Sequence, residues 1–80
     1  MPKFQIDSKM LTDNEINIQQ LLVVSNLAPS KSEARRLLTQ GGISINGEKT
    51  TDINHKITTD QLAKGIIIKK GKKVYKKIYI

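Results

Sequence analysis

Residues 30–49 read SKSEARRLLTQGGISINGEK, and the chemistry of this stretch decides the fold. Ser30 followed three residues later by Glu33 has the capping-box spacing, in which the Ser oxygen accepts from a backbone N–H and the Glu reaches back to the cap. A helix is predicted to start there. Ala34, Leu37 and Leu38 fall on one face at helical spacing, whereas Ser32, Arg35, Arg36 and Thr39 project from the opposite face. Gly41 and Gly42 can supply the positive φ that ends a helix. Ile43 and Ile45 then alternate with Ser44 and Asn46 as in a half-buried strand, and Asn46-Gly47 is a strong hairpin signal. The stretch thus encodes a helix, a turn and a hairpin, with guanidinium groups facing outward.

Working upstream, Asn17 with Gln20 repeats the capping-box pattern, and Ile16 is placed to staple onto Leu21. Ile18, Leu21, Leu22 and Ser25 form the inward stripe of this first helix. Asn26 suits a left-handed C-terminal position, because its short polar side chain tolerates positive φ. Leu27, Ala28 and Pro29 join the two helices tightly enough for them to pack as a pair. Residues 1–15 have no clean period and read as a tether or edge segment, with residues 16–80 as one domain. Met1 directly before Pro2 reads as an abrupt start on a piece of a longer protein.

Downstream, Lys49 to Ile53 reads as a second strand. Asn54 to Lys64 reads as loop with one helical turn capped by Thr58 or Thr59. Ile66 to Ile68 and Val74 to Ile80 are β-branched runs around a Gly71-centred turn, with Tyr75, Lys77 and Tyr79 sharing one face of the last strand. The expected class is α+β, two packed helices against a small, mainly antiparallel sheet.

Eighty residues allow one small domain. The formal net charge of +7, from 14 Lys and Arg against 7 Asp and Glu, suits a polyanionic partner and disfavours a basic one. Cysteine is absent, so neither a disulfide framework nor a thiolate metal site is available. No apolar run reaches the ~20 residues of a membrane helix, and no signal-peptide core opens the chain. The expectation is a soluble cytoplasmic protein without a membrane partner. His55 is the single histidine and lies in a polar stretch, so metal binding has no second ligand to build on. Asp52 and Asp60 read as turn and cap residues, and no glycine-rich phosphate loop is present. No catalytic site, metal or cofactor is expected.

Two cationic clusters remain. Lys31, Arg35 and Arg36, with the Ser30 and Ser32 hydroxyls, surround a helix N-terminus whose dipole favours an anion; the plainer alternative is a solvated helix face. Lys69, Lys70, Lys72 and Lys73 crowd the last hairpin, near Tyr75 and Tyr79, which could stack on bases. The plainer alternative there is lysines protecting an edge strand.

SKSEARRLLTQGG followed by ISING resembles the alpha-L RNA-binding motif, shared by several translation and RNA-modifying proteins. Within that group LLVVSNLAP, Gly41-Gly42 and the closing GKKVYKKIYI look most similar to the C-terminal domain of bacterial tyrosyl-tRNA synthetases. The resemblance covers about Ile18 to Ile80; Asn26 departs from the usual glycine. It implies a module that holds the anticodon arm and long variable arm of tyrosine tRNA, while a separate domain, using ATP, aminoacylates. That parent would be a homodimer, the isolated domain a monomer. Ser30, Lys31, Ser32, Arg35, Arg36 and Gln40 match the helical part of the family's RNA-facing surface. Asn46, Lys49 and the hairpin lysines Lys69, Lys70, Lys72 and Lys73 are looser matches. A free-standing RNA-binding protein of the same fold and a basic protein-interaction module remain the alternatives.

Overall fold

The computed structural model describes residues 2–80, so the expectation about Met1 falls outside the described residues. Seven strands and three α-helices follow in the order β1 (Lys3–Gln5), β2 (Glu15–Asn17), α1 (Ile18–Val24), α2 (Lys31–Thr39), β3 (Ile43–Ile45), β4 (Glu48–Lys49), β5 (Lys56–Thr58), α3 (Thr59–Lys64), β6 (Ile66–Lys70) and β7 (Val74–Tyr79). A five-stranded sheet has the order β1-β7-β6-β3-β4, and β2 pairs with β5 in a separate ladder. All pairings are antiparallel except β1 with β7. The class is α+β, as the hydrophobic periodicities predict.

Both early helices start and stop for reasons legible in their residues. The Asn17 side chain accepts from the Gln19 N–H at 2.8 Å and the Ser30 hydroxyl from the Glu33 N–H at 3.3 Å. Neither full capping box forms. Gln19, rather than Gln20, anchors the start of α1 by donating to the Ile53 carbonyl at 2.8 Å, while Glu33 turns toward Arg36. At the far ends the same motif appears twice. Leu27 N–H donates to Leu22 O and Asn26 N–H to Val23 O; Gly42 N–H donates to Leu37 O and Gly41 N–H to Leu38 O. This paired pattern satisfies the last carbonyls of a helix and needs a left-handed residue, here Asn26 (φ 64°) and Gly41 (φ 74°). Gly42 needs no positive φ, contrary to expectation.

Ile18, Leu21 and Leu22 are fully buried on α1, as is Ser25 at its C-cap, and Ala34 and Leu38 on α2. Leu37 is only half-buried, at the rim of the core, so Leu38 is the principal anchor of α2. Ile43, Ile45, Ile66, Ile68 and Ile78 form the sheet's inner face beneath the helices.

Two expectations need correction, and a third is narrowed. The chain between Asn54 and Lys64 is not mainly loop: it contains β5 and then α3, which has the capping box the earlier helices lack. Thr58 Oγ1 accepts from the Gln61 N–H at 3.3 Å and Gln61 Oε1 accepts from the Thr58 N–H at 3.0 Å. The strand expected over Lys49 to Ile53 stops at Lys49, because the chain then turns away and Ile53 supplies its carbonyl to the start of α1. Of the tether and edge readings of residues 1–15, β1 takes an edge position beside β7, and Ile6 is 1% exposed in the core.

Candidate nucleic-acid interface

α2 buries Ala34 and Leu38, so the 100° step between helical residues turns Lys31, Ser32, Arg35, Arg36, Thr39 and Gln40 outward, and all six are exposed. The helix thus presents its sequence-predicted residues on an open surface. Ser30 is exposed too, but its oxygen already accepts from the backbone. Glu33 lies 4.0 Å from Arg36, at the limit of an ion pair and with both side chains open to water, a geometry in which ion pairs are worth little. Arg35 and Arg36 therefore keep most of their capacity to neutralise an anion.

The hairpin that follows holds Asn46 at φ 52° and Gly47 at φ 88°, as a two-residue type I′ turn requires. Asn46 is engaged within the fold: its Oδ1 accepts from the Ile67 N–H at 3.0 Å, and its own N–H donates to Ile67 O at 2.8 Å. That bond fixes the side chain against β6, while Asn46 as a whole stays exposed. Lys49, opposite Ser44, sends its stem across Gly41, where Cδ comes within 3.2 Å of the point a Cβ would occupy. A lysine from β4 is thus parked at the C-terminal end of α2.

The lysine cluster is divided by the pleat. Lys69 stands opposite Ser44 and Tyr75 on the outer face, whereas Lys70 faces Ile43 and Val74 in the next register. Consecutive side chains of a strand point to opposite faces. The Lys69 ammonium lies over the Tyr75 ring, 5.4 Å from its centroid. Lys72 and Lys73 are exposed on the turn, whose Gly71 N–H donates to Gly42 O at 2.8 Å. This hydrogen bond sets the lysine turn against the glycine pair that ends α2.

Lys76 was not singled out by the sequence and is half-buried on the inner face of the sheet. It lies opposite Ile68, and its ammonium donates to the Ser25 carbonyl at the end of α1, where the helix dipole favours a cation. Period-two reading of β7 could have found it, since Lys76 shares parity with buried Ile78. Asp52 is a turn residue as expected, its carboxylate accepting from the Asn54 N–H at 2.9 Å. Among the described residues no group of three potential ligands gathers for a metal, and no helix is long and apolar enough to cross a membrane.

Fold and site together define a small basic α+β domain that displays its cations on open surface. Residues 1–78 match the family described as Tyrosine--tRNA ligase SYY-like C-terminal domain, and the chain belongs to that family. It is 43% identical to a tyrosine--tRNA ligase of Clostridium kluyveri over the whole chain and 19% of that relative. The corresponding enzyme of Clostridium tetani is 53% identical over 79% of this chain and 16% of its own length. That of Acetivibrio thermocellus is 44% identical over 98% of this chain and 19% of its own length. The chain thus spans about a fifth of the length of the curated relatives it matches.

Proposed function

We propose that this chain is the tRNA-binding module of a cytoplasmic tyrosine--tRNA ligase, built on the alpha-L motif and serving a catalytic domain that uses ATP. The observation that supports the reading is that Arg35 and Arg36 stand exposed on α2 while the Gly71–Gly42 hydrogen bond seats the turn of Lys72 and Lys73 beside the glycine pair that follows that helix. Family membership supplies tRNA as the polyanion. The family resemblance further points to the anticodon arm and the long variable arm of tyrosine tRNA, with residues 16–80 as the RNA-binding unit and a homodimeric parent.

In this reading the module contributes binding energy and no chemistry. Lys31, Arg35 and Arg36 neutralise phosphates, with Ser32 and Gln40 as hydrogen-bonding neighbours; Lys72 and Lys73 extend the contact. Such contacts position an RNA without reading its bases. Deleting the module from the parent enzyme should therefore reduce kcat/KM for tRNA charging while leaving tyrosyl-adenylate formation intact. ATP–pyrophosphate exchange and aminoacylation, measured on the same preparations, test this. Loss of both activities would mean that the module supports the catalytic domain's structure instead.

A further inference from the structure

We propose that the open face of the five-stranded sheet is a second RNA contact surface, holding the phosphodiester backbone of a strand at a cleft between β1, β7 and the end of α3. This rests on the RNA-binding reading and adds a site that α2 does not include. The cleft, about 290 Å³, is lined by Lys3, Lys64, Lys77 and Tyr79 together with Ala63 and Gly65. Three lysines from three separate elements line it, and among the described residues no carboxylate does.

The pleat explains the assembly. Phe4 and Ile78 pair on the inner face, so their neighbours Lys3 and Lys77, also paired, stand together on the outer face. Gly65 is required: its φ is +82°, and Lys77 Cε lies 2.9 Å from where a Cβ would be, so the lysine stem crosses bare backbone to reach the cleft. Beyond the cleft the same face continues through Ile67 and the Lys69–Tyr75 pair to Lys49. Ile67 and Tyr75 are 37% and 40% exposed. Among the described residues the ion pairs are Arg36–Glu33 and Lys56–Glu15, so the lysines of this face carry unneutralised charge. Lysines interleaved with an exposed aromatic ring suit a nucleic-acid strand, whose phosphates take the cations and whose bases take the ring.

Tyr75 and Tyr79 are the chain's two tyrosines, and both stand on this face, so 3-fluorotyrosine labelling gives one fluorine resonance for each. The test titrates a tRNA with a long variable arm into the labelled chain, its Lys3→Gln/Lys64→Gln variant and its Arg35→Ala/Arg36→Ala variant. Circular dichroism first checks that each is folded. Lys3 and Lys64 are exposed, so that variant should keep its fold. Expected are fluorine shifts on binding and, for the lysine variant, a slope of log K against log salt flatter by about 1 to 2, with roughly tenfold weaker binding at physiological salt, as lost counterion release dictates. The arginine variant, once saturated, should still show the fluorine shifts. If the wild type binds but the resonances stay put and the lysine variant keeps its affinity and slope, the sheet face is not a contact surface, while the α2 reading stands. If the wild type fails to bind, both readings fall. Equal displacement of the RNA and equal fluorine shifts by polyglutamate would assign the face to an acidic protein and overturn its assignment to RNA.

Discussion

α1 and α2 are neighbours built to the same local rules, yet they do opposite jobs. Each begins with a side-chain oxygen on a backbone N–H and ends with a left-handed residue closing the last carbonyls. α1 carries no charged residue, buries three of its seven positions and abuts the ladder of β2 and β5. α2 buries only Ala34 and Leu38 of its nine, and turns Lys31, Arg35 and Arg36 to water. Identical capping thus sets where a helix lies, while its outward residues decide what it can meet. Stability and ligand binding should consequently be separable by substitution on one helix.

The most severe challenge to that separation is at the buried side. Leu38→Ala should cost ~2 to 5 kcal/mol, the range for truncating a buried leucine, and Leu21→Ala on α1 should match it. Denaturant unfolding of both checks this; Leu37→Ala, at the core rim, should cost clearly less than Leu38→Ala. Equal costs for the two α2 leucines would mean that α2 is rotated about its axis.

Next comes the shared ending. Gly41→Ala should destabilise by about 1 to 2 kcal/mol, because an L side chain at φ 74° clashes with its own backbone. Asn26→Gly should stay within about 0.5 kcal/mol, since asparagine already tolerates the conformation. Melting curves of the two variants measure the asymmetry. The shared beginning is weaker: Ser30→Ala should cost about 1 kcal/mol, the typical value of a lost N-cap.

The smallest stability effect belongs to the outward face. Arg35→Ala/Arg36→Ala should change unfolding free energy by less than about 0.5 kcal/mol, as exposed substitutions do. Its effect should fall on binding: if about four to six phosphates are contacted, the wild-type salt slope should be roughly −3 to −5, and the double variant should flatten it by about 1 to 2. RNA titration at two salt concentrations reads this directly. An unchanged slope would remove α2 from the interface.

What could be read from the sequence was what neighbours in the chain decide. Caps at Asn17 and Ser30, left-handed Asn26 and Gly41, the Asn46-Gly47 turn and the β6–β7 hairpin all rest on residues a few positions apart. The Thr58 cap was legible as well, but the polarity of the surrounding stretch concealed β5 and the full length of α3. Beyond that reach lay pairings across the chain. Nothing local tells β1 to add to β7, the Gly71 amide to seek Gly42, or Asn46 to commit its oxygen to Ile67. For the same reason the lysine run read as one cluster, although the pleat sends Lys69 and Lys70 to different faces and Lys76 inward to Ser25.

The β1–β7 pairing also has a kinetic side. Lys3 meets Lys77 across nearly the whole length of the chain, whereas β6 and β7 close over a three-residue turn. Loop-closure entropy grows by about 0.6 kcal/mol for each doubling of length, so the long closure is dearer by roughly 3 kcal/mol. Hairpins and the α1–α2 pair should therefore assemble early, and β1 should dock last and open first. On the ribosome, the sheet edge that carries Lys3 cannot form until β7 has left the exit tunnel.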